Sequence, residues 1–485
     1  IDLYFKDKYR LSEHQTQSFD DFIENKIPDI ISQFFPMKDF FIEGIELPGS
    51  EEKSKFTLHI DMKNPQISKP IIHENNGKTK LMFPSEARLR NFTYASTLYV
   101  DIHIDTYIDQ ESEVIQLQPR VLERINIGKI PVMVHSKYCV LSENKHTDPK
   151  KLGECKYDIG GYFIVNGNEK VLVSQEKIAD NISLVFKNNK STNKYSHLTE
   201  IRSVEDNTYN MPKTISIRIV EQGRGAESGR IYISLPHVRH DIPIFILFRA
   251  LGAGSDKEII QYILGDYNTF VEDPVSIQLL RILQKSMEEA VDIKTEGQAH
   301  NYICKYVNIT SYTQDEALEA QKKNSYLRKI LHEEYLPHLG DNKKKRLFYT
   351  GYMIKKMLLC YIEKIPLDDR DNYCNKRVET PGVLLANLFR QCFSKLCKDI
   401  RASIIKEINT GAWRANNNCA DIINYTNIYK IIKSSTLETA IKSGLATGNW
   451  GLKSTNNRQG ISQVISRLTY PSYLSHIRRI STPTS

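Results

Sequence analysis

The sequence predicts an α+β chain of several domains, in which mixed sheets carry packed helices. Three observations lead there. Between Phe56 and about Val140, short alternating or β-branched runs dominate: FTLHIDM, STLYVDIHIDTYI, IPVMVH and YCVL. From Ile244 to about Glu363, and again from Gly382 to Asn409, the pattern is helical, with apolar residues recurring every three to four positions. Between these blocks the stretch from Asn188 to His197 is polar and rich in Asn, Lys and Ser, which places a domain boundary just before it. At 485 residues, the length corresponds to roughly three domains.

The elements follow in order. Ser18-Phe19-Asp20-Asp21-Phe22 carries a Ser-x-x-Asp capping pattern, so a helix is expected to open there and run to about Phe35, where Pro36 stops it. Asn166-Gly167 sits between two apolar runs and signals a tight hairpin, because both residues tolerate positive φ. ISIRIV and IYISLP read as strands, with Gln222-Gly223-Arg224-Gly225 as their turn. No GK[ST] follows that GxG, so the hairpin reading outweighs a phosphate loop. The most apolar stretch, Ile242 to Leu251, holds Arg249 and falls well short of the roughly 18 to 20 residues of a membrane span. Polar residues from Asp341 to Arg346 interrupt the helical region. In the last long helix, Leu385, Leu388, Phe389, Cys392, Phe393, Leu396, Ile400, Ile404 and Ile408 share one face, which reads as core. Repeats at solenoid periods are absent.

Hydrophobic residues make up 40% and charged residues 26%, ordinary for a globular chain able to bury a core. The eight cysteines are scattered and form no CxxC, which argues against zinc and against a disulfide framework. Reduced core thiols in a cytosolic or nuclear setting are expected. Ile1-Asp2-Leu3-Tyr4 has neither the basic nor the apolar region of a signal peptide. The missing initiator Met and the ending Thr482-Pro483-Thr484-Ser485 suggest a fragment. The net charge of +8 is uneven. From Gly340 onward there are 24 Lys and Arg against 10 Asp and Glu, so the rest of the chain is net acidic. That asymmetry points to a polyanionic partner at the C-terminal end.

The strongest signal is the run from Thr439 to Ser485, which has no acidic residue and six basic ones: Lys442, Lys453, Arg458, Arg467, Arg478 and Arg479. It is also rich in Ser, Thr, Asn and Gln. Cations neutralise phosphates, hydroxyls and amides donate to phosphate and sugar oxygens, and glycine permits close approach. A merely solvated basic tail is the bland alternative. Ile461, Val464, Ile465, Leu468, Leu474, Ile477 and Ile480 recur at helical spacing, so a folded segment is expected. No base-reading motif accompanies it, which favours sequence-independent backbone contact. Two other constellations carry metal-binding residue types. Asp368, Asp369 and Asp371 could hold Mg²⁺, but Arg370 sits among them, and loop ion pairing with helix capping is the preferred reading. His237 and His240 offer half a metal site with no third ligand nearby. Neither a complete catalytic site nor a metal site is legible.

Several segments in order resemble a known family: IGKIPVMVHSKYCVL (127–141), GGYFIVNGNEKVLVSQEKIADN (160–181), DIPIFILFRALG (241–252), GYMIKKMLLC (351–360), DDRDNYCNKRV (368–378), LATGNWG (445–451) and GISQVISRLTYPSYLSHIRRISTP (460–483). Together they resemble the N-terminal part of the second-largest subunit of multisubunit DNA-dependent RNA polymerase, and IPIFILFRALG and DDRDNYCNKRV resemble the RNA polymerase II type. The resemblance spans nearly the whole chain. It implies a protrusion over residues 1–186, completed by 375–435, an inserted lobe over 187–374, and the start of a fork over 436–485.

The resemblance also implies that Lys453, Asn457 and Arg458 lie in a loop near the downstream fork, with Ser454 and Asn456 as polar helpers. Gln463, Arg467, His476, Arg478 and Arg479 would line the RNA–DNA hybrid. Arg458, Gln463 and Arg467 carry the most weight; for Arg478 and Arg479, internal ion pairs that fix the fork are the alternative. Template DNA, the hybrid, the largest subunit and smaller subunits are the implied partners. Mg²⁺ would be bound mainly by the largest subunit, and this segment alone would be inactive. The implied compartment is the nucleus, or a cytoplasmic viral factory or virion if the source is viral. Two departures stand out: Glu379-Thr380-Pro381-Gly382 replaces the family's usual Asp-Leu-Ala-Gly, and Ala412 to Asn427 matches poorly. A stand-alone or split-gene nucleic-acid-binding assembly factor is the competing reading.

Overall fold

A computed structural model describes residues 6–46, 53–110, 113–116, 119–144, 147–188, 194–205, 210–221, 223, 227–266, 273–308, 316–410, 422–451 and 458–482. The chain divides into two compact units. The first joins Ile1–Lys177 to Val378–Ser485, and the second is Ile178–Arg377. Mixed helices and sheets in both make the α+β class plain.

The first unit is built on a five-stranded antiparallel sheet. Its central strand, Ala95–Gln110, pairs with Lys53–Ile67 on one side and with Arg120–Pro131 and Glu113–Gln116 on the other; Met37–Glu46 extends the sheet beyond Lys53–Ile67. Leu98, Val100, Ile102 and Ile104 are buried at every second position, the two-residue period that one buried sheet face requires. Asn166-Gly167 closes the hairpin between Phe163–Val165 and Asn168–Leu172, with φ of 50° and 77° at the turn. The YCVL run is a correction: Val140–Glu143 forms a short helix rather than a strand. The buried Tyr94 hydroxyl accepts the Val140 amide at 3.0 Å, where a strand partner would otherwise sit.

The chain is helical from Glu13 to Phe34, with one π turn over Phe22–Lys26. The capping pattern at Ser18 therefore misplaced the start of this helix. Ser18 lies inside it and serves another helix instead: its Oγ donates to Thr380 Oγ1 at 2.6 Å and accepts the Gly382 amide at 2.8 Å. That amide lies in the first turn of the thirty-residue helix Pro381–Thr410, whose expected core stripe is buried throughout. Phe389 meets Phe22, and Phe393 meets Phe34, both edge-on. Helix Ser434–Thr447 packs on the other side. A Cβ on Gly444 would lie 2.9 Å from Leu388, and one on Gly128 would lie 3.2 Å from Leu437, so glycine permits both approaches.

The second unit pairs Leu184–Lys187, Tyr195–Ser203, Lys213–Val220, Ile231–Ser234 and Ile242–Pro243 in that order, all antiparallel. ISIRIV and IYISLP are thus neighbouring strands, as a hairpin requires; most of the turn between them lies outside the described residues. Helix Ile244–Ala250 is buried on every side, which accounts for a sequence that is apolar at every position but Arg249. Arg249 within it is held by Asp256 and the Ala290 carbonyl, both at 2.5 Å. The polar run at Asp341–Arg346 marks a helix start rather than a break: Asn342 caps Lys343–Tyr361.

The acidic cluster is absorbed into this unit. Asp368 accepts from Lys356 at 2.7 Å and from the Val185 amide at 2.8 Å, while Arg370 pairs with Glu200 at 3.0 Å and lies over Phe186. His237 pairs with Glu334, and His240 packs on Tyr306. All cysteines among the described residues are free thiols, five of them buried.

Candidate nucleic-acid interface

The basic C-terminal segment is folded, and three local features hold it to the first unit. Ser462–Val464 adds a strand to the hairpin, opposite Lys170, Val171 and Leu172. Thr469 caps helix Tyr470–Ile477, whose Tyr473, His476 and Ile477 are buried. Ile480–Ser481 then runs parallel to Ser174 and Gln175. Gln15 in the first helix donates to the Ile477 carbonyl at 2.8 Å, which ties the segment to the start of the chain. Its apolar periodicity is satisfied only in part, because Val464, Leu468 and Ile480 are exposed while Ile461, Ile465 and Ile477 are buried.

The basic residues fall into two classes. Arg458 and Arg467 are neutralised from within. Arg458 pairs with the buried Glu379. Arg467 donates to Glu169 Oε2 at 2.7 Å and to Asp158 Oδ2 at 3.2 Å, with Tyr473 and Tyr162 flanking its guanidinium at 4.3 and 5.0 Å. Arg88 completes this network. It bonds Glu169 Oε1 at 2.8 Å, both oxygens of Glu154 at 3.0 Å and the Tyr162 hydroxyl at 2.8 Å. Burial works to raise the Asp158 pKa, but the Tyr162 and Tyr473 hydroxyls, the Gly160 amide and Arg467 outweigh it, and the carboxyl lies below its ordinary range. Burial raises Glu154 more than Arg88 lowers it.

Arg478 and Arg479 form the second class. Both are exposed. Arg478 gives one nitrogen to the Leu11 carbonyl at 3.2 Å, and Arg479 meets no carboxylate among the described residues. The internal ion pairs considered for these two arginines are thus made by Arg458 and Arg467. Lys442 and Lys129 add cationic side chains to the wall of a cavity of about 270 Å³, which also holds Asn91, Asn166 and Glu438.

Gln463 and His476 are joined. The Ser466 amide donates to His476 Nδ1 at 3.1 Å, so the ring proton sits on Nε2, which faces Gln463 Oε1 at 2.9 Å. The Gln463 amide nitrogen then donates to the Gly460 carbonyl at 3.0 Å. His476 is only 5% exposed. Its pKa is lowered first by burial and then by Arg479. Lys453 and Asn457, with Ser454 and Asn456, lie outside the described residues. Sequence reasoning missed Arg88, Asp158, Glu169, Tyr162 and Tyr473, which anchor the segment. Glu169 is 298 residues from Arg467, and no spacing rule links them.

Comparison with known proteins bears on this arrangement. The RNA polymerase beta subunit family model matches residues 10–430. DNA-directed RNA polymerase II subunit 2 of Arabidopsis thaliana is 38% identical over 494 residues, covering 100% of this chain and 39% of that protein. DNA-directed RNA polymerase II subunit RPB2 of Schizosaccharomyces pombe is 34% identical over 492 residues, 99% of this chain and 38% of that protein. DNA-directed RNA polymerase subunit Rpo2N of Methanothermobacter thermautotrophicus is 30% identical over 500 residues, 100% of this chain and 86% of that protein. The chain thus spans about two fifths of the length of the first two relatives and most of the third.

Proposed function

Since the chain belongs to the RNA polymerase beta subunit family, as the N-terminal part of the second-largest subunit, we propose that it forms one side of the cleft of a DNA-directed RNA polymerase and holds template DNA and the RNA–DNA hybrid there. In this reading the first unit is the protrusion with the start of the fork, and the second unit is the inserted lobe. The partners are the largest subunit and smaller subunits of the assembly, and the compartment is the nucleus. The assembly adds a nucleotide from an NTP to the RNA 3′ end, and Mg²⁺ supplies charge stabilisation in that step. No group of three His, Cys, Asp or Glu among the described residues could hold a metal ion. In this reading Mg²⁺ would be held mainly by the largest subunit, and this chain's own residues bind and orient nucleic acid.

The observation that carries the proposal is the contrast between the two classes of arginine. Arg467 and Arg458 are matched by Asp158, Glu169 and Glu379, and they hold the segment in place. Arg478 and Arg479 project from that fixed frame without a carboxylate partner among the described residues, as phosphate contacts require. Lys442 and Lys129 extend the basic surface of the same unit. Lys453, Asn457, Ser454 and Asn456 are proposed to continue it along the downstream loop, with Gln463 supplying a polar contact. For Arg467, this assigns an indirect effect: Arg467→Ala weakens hybrid retention by loosening the frame.

The test uses the assembled polymerase on a preformed RNA–DNA scaffold, with complex half-life followed across a salt series. Each phosphate contact contributes about 0.7 to 0.9 to the slope of log K against log salt. The Arg478→Ala/Arg479→Ala double variant should shorten the half-life and flatten that slope by about 1.5. An unchanged half-life at every salt concentration would overturn the assignment.

A further inference from the structure

We infer that His476 is a positioning residue, whose neutral imidazole fixes the Gln463 amide and through it the Gly460 turn, so that one protonation loosens the nucleic-acid face of the segment. The inference rests on the proposed function above.

The geometry is a relay of three hydrogen bonds with a defined direction. The Ser466 amide donates to His476 Nδ1, His476 Nε2 donates to Gln463 Oε1, and Gln463 Nε2 donates to the Gly460 carbonyl. A backbone N–H sets the tautomer, because only an unprotonated Nδ1 can accept it. The tautomer then sets the amide, because only the Gln463 oxygen can face an N–H donor. The amide nitrogen is thereby turned toward Gly460, where the chain emerges from the loop proposed to follow the downstream fork. Gly460 has φ of 74°, a left-handed conformation that glycine adopts readily, so the turn relies on this outside contact for part of its definition.

A second proton on His476 would set an N–H donor against the Ser466 amide. The surroundings oppose that proton. Arg479 acts on the ring from the C-terminal side. On the first helix, His14 lies against the Ile477 carbonyl and near Arg478. On the hairpin strand, Glu169 is engaged by Arg88 and Arg467, and Lys170 by the Ala446 carbonyl at 3.0 Å. Ser472, whose hydroxyl meets that of Ser466 at 2.6 Å, carries no charge. Acidification thus acts on a buried group with no carboxylate hydrogen-bonded to it. Because its pKa in the folded chain lies below the ordinary value of about 6.5, the ordered relay is complete above that pH and is lost as pH falls through the lower, folded value.

The experiment measures scaffold-complex half-life of the assembled polymerase between about pH 5.5 and 8, spanning the ordinary histidine range. Wild type should lose lifetime on the acid side. His476→Phe, which fills the site but cannot relay or titrate, should be shortened about fivefold at neutral pH, the loss of roughly one hydrogen bond. Its profile should also lose the acid-side fall. Gln463→Ala, on a partly exposed side chain, should shorten the half-life similarly and serves as the test if His476→Phe does not assemble. Half-lives like wild type in both variants, or an acid-side fall that persists in His476→Phe, would overturn the inference. Shortening by the Arg478→Ala/Arg479→Ala pair alone would leave the functional reading standing while the relay fails. No change in any of these variants would remove both.

Discussion

Asp158→Ala is expected to destabilise the first unit by about 3 kcal/mol, the scale for removing one partner from a buried charged pair. Asp158 is 6% exposed and receives four donors: the Tyr162 and Tyr473 hydroxyls at 2.7 Å, the Gly160 amide at 2.8 Å and Arg467 at 3.2 Å. Alanine removes this acceptor from all four, although Arg467 keeps Glu169 and the Tyr473 hydroxyl keeps the Gly160 carbonyl at 3.3 Å. Arg467 is partly exposed and can turn to water, which keeps the loss below the upper end of that range. Because the carboxyl lies below its ordinary range, its contribution is complete above about pH 4 and is lost as pH falls through the folded value. Urea unfolding followed by tryptophan fluorescence in a Trp413→Phe background reads this, since the Trp450 indole is buried and bonded to the Leu384 carbonyl at 2.8 Å. Asp158→Asn should lose less at neutral pH and should flatten the acid limb. An Asp158→Ala midpoint equal to that of wild type would show that the network contributes nothing.

Gly382→Ala is expected to cost about as much by a different route. A Cβ there would lie 1.8 Å from the Ser18 carbonyl oxygen and 2.7 Å from its Oγ. Backbone on both sides cannot yield without parting the first helix from Pro381–Thr410, so a loss of about 3 kcal/mol or more follows from overpacking. Ser18→Ala removes only the hydroxyl that receives the Gly382 amide and should cost about 1 kcal/mol, as loss of a helix cap does. The same fluorescence measurement separates the two. A Gly382→Ala effect within the roughly 0.5 kcal/mol of a neutral surface change would contradict the contact.

These two sites mark the limit of what was legible. The buried stripe of Pro381–Thr410, the Asn166-Gly167 hairpin and the alternating strand Ala95–Gln110 could all be read locally, because each follows a period or turn rule contained in a few residues. The role of Ser18 could not, because a serine that caps its own helix and one that caps another share the same local pattern. The same holds at the candidate site. An acid-free run pointed to the segment proposed to face a polyanion, yet composition could not separate Arg467 from Arg479. The difference lies in Asp158 and Glu169, acids that arrive from distant sequence. The family resemblance carried the overall identity, while the internal commitments of Arg458 and Arg467 are set by tertiary contacts with Glu379, Asp158 and Glu169.

The division of the first unit into Ile1–Lys177 and Val378–Ser485 has a consequence for how the chain is made. At about 5 to 20 residues per second, a ribosome needs roughly 10 to 40 seconds to pass through the intervening segment. Throughout that interval the first helix, the large sheet and the hairpin exist without helix Pro381–Thr410, helix Ser434–Thr447 or the strand Ser462–Val464 that cover them. The second unit is continuous, and its two ends are tied by the Ala179 amide on the Asn375 carbonyl at 2.8 Å, so it can close as soon as it emerges. The nascent protein therefore spends its most exposed period with a finished module tethered behind an unfinished one. Demand for chaperones should concentrate on the apolar surfaces of Phe22, Phe34 and the strand Arg120–Pro131 until residues 378–485 arrive.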